Sequence, residues 1–302
     1  MSVKFCKAQK IVRCYVSMKI KNIVAFGEIV WDCYPDKKLL GGAPLNFAYY
    51  CGKLGANASI ISAVGRDFLA EETHAKLSQM PVDKNCVSSN DYQTGVVDVK
   101  MLGAIPHYEI KFPSAWDFIE LNSFAEDALK KADAFLFGTL AQRNEVSAKT
   151  LQRCIELLPA TCLKIFDVNF RQNYYSKEIL ERCLEYTDIL KINDEELDKV
   201  SEMLDFSGTE SERAKNLFEK FNLKNLVVTR GGRGQLVLTN GLQFESSAKK
   251  VEVVDTVGAG DSFIAGFVSR LLMGDKIFEA VEFASELASK VCQTRGALLK
   301  EL

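Results

Sequence analysis

The residues best able to do chemistry in this chain lie in one short run, Asp255-Thr256-Val257-Gly258-Ala259-Gly260-Asp261. The preceding Val251-Glu252-Val253-Val254 reads as a strand, and the apolar stretch from Ser262 to Met273 reads as a helix. A glycine turn between them lets backbone amides approach a ligand without a Cβ in the way, and the unpaired N–H groups of a helix start attract anions. Gly258, Ala259 and Gly260 are therefore candidates to cradle phosphate. Asp261 stands one residue beyond, where its carboxylate could take a proton from a hydroxyl as that hydroxyl attacks phosphorus. The competing reading is a tight turn, with Asp261 merely complementing the helix dipole.

A second glycine-rich element lies far upstream, Gly41-Gly42-Ala43-Pro44-Leu45-Asn46. Gly41 and Gly42 let the backbone pass close to a small ligand, and Pro44 suits the first turn of a helix through Phe47, Ala48 and Leu54. The Asn46 amide both donates to and accepts from hydroxyls, which suits a neutral polyol. Together the two elements resemble the signatures of the ribokinase-like (pfkB-type) carbohydrate kinases. Asp255 to Asp261 resembles the family's C-terminal motif and Gly41 to Asn46 its N-terminal sugar-binding motif, and the likeness runs in family order over about residues 20 to 300.

That resemblance implies a set of roles. Asp32, at the end of Gly27-Glu28-Ile29-Val30-Trp31-Asp32, falls where the family accepts hydrogen bonds from sugar hydroxyls. Asp167-Val168-Asn169-Phe170-Arg171 resembles the fructokinase and ketodeoxygluconate kinase branch, with Asn169 on the sugar side and Arg171 the cation for the transferred phosphate or an anionic substrate; by sequence alone Arg171 could equally form a surface salt bridge. Asn193-Asp194-Glu195-Glu196 matches the family's Asn-x-x-Glu, in which Asn193 and Glu196 help organise phosphates and Mg2+, the metal through water. Thr229-Arg230-Gly231-Gly232-Arg233-Gly234 resembles its Thr-x-Gly-x-x-Gly loop, placing Thr229, Gly231 and Gly234 beside the nucleotide. Ala284-Ser285-Glu286 stands where many relatives carry Asn near the adenine, which leaves Ser285 as the candidate there. Thr294-Arg295-Gly296-Ala297 matches the C-terminal loop, and the family implies a K+-like ion near Asp255 and the Val257 carbonyl.

These residues need a frame to hold them. Short apolar runs at Ile23–Phe26, Ala58–Val64, Ala134–Phe137, Lys164–Asn169, Ile189–Asn193 and Leu226–Thr229 read as buried strands, with helical stretches at Phe68–Met80, 147–158, 177–186, 211–221 and 277–291. This alternation predicts an α/β fold with a mostly parallel central sheet, helices on both faces, and ligand residues at strand C-terminal ends. Gln235–Leu238 and Gln243-Phe244 flank Asn240-Gly241 as a hairpin. Thr94–Leu102 and Tyr108–Phe112 alternate with period two around a turn at Gly103–His107. With residues 28–40 they resemble the family's small β-sheet lid, which would close over the sugar or pair with a partner's lid in a homodimer. Trp116-Asp117-Phe118, just beyond, reads as core packing more than as a substrate contact.

Composition sets the outer bounds. The chain of 302 residues is 47% hydrophobic and 26% charged, and its formal charge of -2 offers no electrostatic case for nucleic acid. Nine scattered cysteines without a Cys-x-x-Cys pair read as reduced thiols of a cytoplasmic protein, and only His74 and His107 are available for histidine chemistry. No run is long and apolar enough to cross a membrane. Residues 1–17 read as an N-terminal extension before a kinase domain at 18–302. No Walker A loop occurs, and no Gly-x-Gly-x-x-Gly follows the first strand. Gly138-Thr139-Leu140-Ala141-Gln142-Arg143 and Ala115–Ile119, taken with Asp167–Arg171, look most like bacterial fructokinases. The activity this implies is phosphorylation of D-fructose at its primary hydroxyl by ATP. A ketodeoxygluconate kinase and a catalytically silent sugar sensor on the same fold are the alternatives.

Overall fold

The computed structural model describes residues 20–102 and 105–302. The predicted N-terminal extension and Gly103-Ala104 lie outside them. Nine strands form the central sheet: β1 (Asn22–Phe26), β4 (Asn57–Val64), β5 (Val87–Ser89), β8 (Ala134–Gly138), β9 (Leu163–Asp167), β10 (Ile189–Asn193), β11 (Asn225–Thr229), β12 (Gln235–Thr239) and β13 (Leu242–Ser246). Their order is β13-β12-β11-β10-β9-β8-β1-β4-β5. The sheet is parallel from β11 to β5, and β12 and β13 extend it as an antiparallel edge, the hairpin expected around Asn240-Gly241.

Alternation within each strand sends side chains to opposite faces, and two cores result. Val24 and Phe26 join Phe135, Phe137 and Phe166 under α3 (Ser123–Leu129), α4 (Glu145–Leu157), α5 (Lys177–Glu185), α6 (Asp194–Met203) and α7 (Glu210–Lys220). Ile23 and Ala25 face the other way, into α1 (Ala43–Lys53), α2 (Phe68–Leu77), α8 (Ala259–Leu272) and α9 (Ile277–Cys292). Strands covered on both faces read as unbroken apolar runs, which is why they were legible.

A second sheet, ordered β3-β2-β6-β7, is built from β2 (Val30–Cys33), β3 (Lys38–Gly41), β6 (Gly95–Leu102) and β7 (Ile105–Ile110). β2 pairs parallel with β6, joining segments far apart in the chain. Val97, Val99 and Ile110 are buried, and Val97 and Ile110 pack into the chain's own core beside Trp116. The Trp31 indole N–H donates to Thr73 Oγ1 at 2.9 Å and ties this sheet to α2.

Several boundaries differ from expectation. Ile105 to His107 belong to β7, so the turn is narrower than 103–107. Strand β9 stops at Asp167, and Asn169 takes a positive φ of 41°. Val251–Val254 is not a strand. The N–H groups of Val254 and Asp255 donate instead to the Cys292 carbonyl at the end of α9, and Val253 and Val254 are exposed, so the run gains neither a ladder nor a buried face.

Candidate active site

The parallel strands β1, β8, β9, β10 and β11 all end on one edge of the sheet, and the predicted polar residues collect there. Gly258 caps α8 in the left-handed region at φ 81°, where a Cβ would lie 2.8 Å from Ala297. Only glycine fits that turn. A Cβ on Gly260 would come within 3.0 Å of Lys191 Nζ, so the lysine packs directly against the helix start. Lys191 lies on β10 in register with Asp167 on β9, and the two form a buried ion pair at 2.9 Å. Burial works against its charge, yet the carboxylates of Asp167, Glu196 and Asp261 together hold its pKa above the usual lysine value.

Asp261 sits in the first turn of α8. Its Oδ2 accepts a hydrogen bond from Asn46 Nδ2 at 2.7 Å, across 215 positions of sequence. Burial and then the neighbouring charge of Asp167 push the Asp261 pKa up to about 6, against the pull of Asn46, Lys191 and Arg171. The other Asn46 amide atom, Oδ1, is buried without a partner among the described residues. An unsatisfied buried acceptor is costly unless a ligand completes it, and a sugar hydroxyl is a donor of the right kind.

Asn46 is placed there by the crossing of two backbones. Gly42 has φ 115°, and a Cβ on it would stand 2.3 Å from the Glu28 carbonyl, so α1 starts hard against the turn after β1. Beside it, a Cβ on Gly41 would lie 3.4 Å from Asp32 Oδ2. Asp32 is partly buried on β2, and burial raises its pKa to about 6 against the opposing charge of Arg171. Arg171 itself is exposed, and among the described residues it makes no ion pair; its Nη1 only grazes the Phe170 carbonyl at 3.5 Å. The surface salt bridge open to it from the sequence does not form with any described residue. Its charge is instead felt by Glu28, Asp32 and Asp261. Asn169 occupies the same loop, two residues past the end of β9.

On the nucleotide side, Asn193 and Glu196 form a capping box at the start of α6, and Glu196 Oε1 also accepts the Phe170 N–H at 3.0 Å. Both Glu196 oxygens are thus occupied by backbone amides, which fits a Mg2+ role through water and not direct ligation. Thr229 ends β11 beside Asn193 in register. A Cβ on Gly231, which opens the following turn, would meet nothing within 4 Å, whereas Gly234 packs on the Ser246 carbonyl, where a Cβ would lie at 1.9 Å. The Ser285 hydroxyl is buried and donates to Gln235 Oε1 at 2.8 Å, joining α9 to β12. Asp255 accepts the N–H groups of Val257 at 3.0 Å and Gly296 at 2.9 Å. It ties the phosphate-cradle loop to the C-terminal loop, so a cation near Asp255 and the Val257 carbonyl would sit at a joint already built.

Trp116 and Asp117 are fully buried, as core packing would have it, although Asp117 is spent on Arg143. Two charged residues of the site escaped the sequence reading, Lys191 and Glu28. Each interrupts an otherwise apolar run, Ile189-Leu190-Lys191-Ile192 and Phe26-Gly27-Glu28-Ile29. A charge inside a strand buried on both faces, or just past its end, needs a partner, and that was the available signal.

The profile of the pfkB family carbohydrate kinases matches residues 20–301, and the chain belongs to that family. The fructokinase of Salmonella typhimurium is 30% identical over 293 residues, covering 92% of each chain. An uncharacterized sugar kinase of Pyrococcus horikoshii, solved in complex with ATP, superimposes with a TM-score of 0.78 at 26% identity over 91% of this chain and 93% of that one. The fructokinase of Vibrio cholerae O395, solved in its fructose, ADP and calcium ion bound form, shares the fold with a TM-score of 0.79 at 24% identity over 92% of this chain and 94% of that one. No helix among the described residues is long and apolar enough to cross a membrane.

Proposed function

We propose that this carbohydrate kinase transfers the γ-phosphoryl group of ATP to the primary hydroxyl of a small neutral sugar, with D-fructose giving fructose 6-phosphate as the reaction best supported. The observation that carries the reading is the 2.7 Å contact between Asn46 and Asp261, which unites a sugar-type hydrogen-bonding amide with a carboxylate at a helix start suited to phosphate. Asp261 takes the proton of the attacking hydroxyl. The N–H groups at Gly258, Ala259 and Gly260 hold the phosphoryl oxygens, that of Ala259 in exchange for the Thr256 carbonyl it meets at 3.2 Å, and Arg171 and Lys191 offset charge as it moves to the leaving group. Asp32, Gly41, Gly42, Asn46 and Asn169 orient the sugar, with the second sheet as a lid that keeps water from competing. Asn193, Thr229, Gly231 and Gly234 line the nucleotide side. Mg2+ accompanying ATP would neutralise phosphate charge near Glu196, and a K+-like ion at Asp255 would steady the cradle loop; activity unchanged in choline-based, potassium-free buffer would remove the latter.

Charge favours a neutral acceptor over the acid of a ketodeoxygluconate kinase. Glu28, Asp32 and Asp261 gather around the acceptor side, where Arg171 has no ion-pair partner among the described residues. A sugar acid would meet more negative charge than positive. Retention of Asp261 speaks against a silent sensor. The deciding experiment is a coupled ADP-release screen over fructose, ribose, tagatose, ketodeoxygluconate and nucleosides. Fructose should give the highest kcat/KM; a higher value with ketodeoxygluconate would overturn the choice of sugar, and no ADP release with any acceptor would overturn the kinase reading.

A further inference from the structure

The phosphate cradle packs on the loop of residues 294–300 that follows α9. A Cβ on Gly258 would stand 2.8 Å from the Cα, the Cβ and the carbonyl oxygen of Ala297, so the left-handed cradle turn and this loop are in direct contact. One residue earlier, the Gly296 N–H donates to Asp255 Oδ2, while Asp255 Oδ1 accepts the Val257 N–H inside the cradle turn. The position of Ala297 therefore bears on where the cradle N–H groups point.

Ala297 is held from α1. Tyr50 is fully buried on that helix, and its hydroxyl donates to the Ala297 carbonyl at 2.6 Å while accepting the Leu299 N–H at 3.1 Å. Its ring belongs to the core shared by α1 and α8, and the hydroxyl is the part that reaches the loop. Beside it, the Tyr49 hydroxyl donates to the Leu299 carbonyl. Tyr50 lies about one helical turn beyond Asn46, so both side chains leave the same face of α1. One helix thus presents the amide that meets Asp261 and the hydroxyl that holds the loop behind Gly258.

We propose that Tyr50 is a positioning residue: its hydroxyl braces the Ala297 carbonyl against Gly258 and so sets the phosphate cradle at a fixed distance from the sugar-binding amide of Asn46. In-line transfer needs the attacking hydroxyl and the phosphoryl group in register, and the two are held by parts of the chain far apart in sequence. Tyr50 acts on the reaction through the loop alone.

This rests on the sugar kinase reading for its kinetic test but not for its exchange test. Tyr50→Phe keeps the ring and removes both hydrogen bonds, and partners left unmade in this way correspond to roughly a tenfold effect at typical strengths. In that variant kcat should fall about tenfold while KM for the sugar stays within about threefold, because Asn46 remains on an intact helix. Tyr49→Phe removes a hydrogen bond to the same loop at Leu299 instead of Ala297, and should keep kcat within about threefold. A purely structural role would lower the unfolding temperature of both variants and leave the kcat of the folded enzymes alike. Independent of any activity, amide hydrogen exchange at Gly296 and Val257 should quicken in Tyr50→Phe and not in Tyr49→Phe. Ala297→Gly, which loosens the same contact from the loop side, replaces Tyr50→Phe should that variant fail to fold, with the same fall in kcat and the same faster exchange expected. A kcat kept within about twofold, a loss confined to KM for the sugar, equal losses in the two tyrosine variants, or unchanged exchange at Gly296 and Val257 would each overturn the proposal. A protein that phosphorylates no sugar would defeat the functional reading and leave the exchange measurement to decide this one.

Discussion

Two groups of buried charge lie in this molecule, and they are built to opposite plans. Asp117 and Arg143 form a bidentate pair at 2.6 and 2.8 Å with side chains 0% and 1% exposed. Most remaining needs of the pair are met from within, although Arg143 Nη1 is buried with no hydrogen-bond partner among the described residues: Asp117 Oδ2 also accepts the Ser114 N–H, Arg143 Nη2 also donates to the Lys111 carbonyl, and the guanidinium lies over the rings of Trp116, Tyr174 and Phe112. This joint anchors the segment that follows β7 to the body of the domain. The group around Asp261 is unfinished by comparison. It has carboxylates whose pKa values burial has raised and, among the described residues, a guanidinium at Arg171 without an ion-pair partner and an acceptor on Asn46 without a donor. Buried charge paired within the protein is structure, and carboxylates gathered with raised pKa values around a cation that no carboxylate pairs are where a ligand is expected.

The sharpest way to break the contrast is to remove one member from each group. Asp261→Asn is isosteric and cannot act as a base, so kcat should fall by about 100- to 10,000-fold with the circular dichroism spectrum unchanged. A variant keeping more than about a tenth of parental kcat would take the base role from Asp261. Arg143→Ala should do the reverse. It strands the Asp117 carboxylate in the core, and the cost should be roughly 3–5 kcal/mol of unfolding free energy in urea, with kcat of the folded enzyme largely kept. Comparable activity losses from both variants would dissolve the distinction.

The pH dependence sharpens it further. A base must be ionised, and Asp261 ionises near pH 6 because burial and Asp167 raise its pKa. Initial rates at low sugar should therefore be flat above about pH 7 and fall about tenfold for each unit below pH 6. A profile flat down to pH 5 would show that this carboxylate is not the titrating base.

The smallest effects concern Asp32. Asp32→Asn should raise KM for the sugar about tenfold without moving KM for ATP, since hydrogen bonds to hydroxyls are lost on one substrate alone. The same change should stabilise the protein. The raised pKa of Asp32 means that between about pH 4 and pH 6 the folded chain binds more protons than the unfolded one, so stability falls as pH rises through that window. Thermal unfolding should favour Asp32→Asn by about 1 kcal/mol at pH 8, after allowance for partial solvent exposure, and show no advantage at pH 3.5. No gain at pH 8 would mean that the ionised carboxylate is satisfied by its surroundings, as Asp117 is by Arg143.

Local patterns in the chain were enough for the α/β class, the parallel sheet and the order of its motifs, because strands buried on both faces are unbroken apolar runs and glycine turns mark where they end. Gly258 to Asp261 and Gly41 to Asn46 could be singled out for the same reason: their chemistry depends on neighbours in sequence. Local pattern misled at Val251–Val254, where β-branched residues promise a strand but the N–H groups of Val254 and Asp255 are taken by the Cys292 carbonyl at the end of α9. Tertiary structure alone decided the rest. The parallel pairing of β2 with β6, the buried Lys191–Asp167 pair beneath Gly260, the contact of Asn46 with Asp261 and the hold of Tyr50 on Ala297 all join residues distant in sequence. A charge becomes costly, shifted or useful according to what lies within a few ångströms of it through space, and that distance is set when the layers pack.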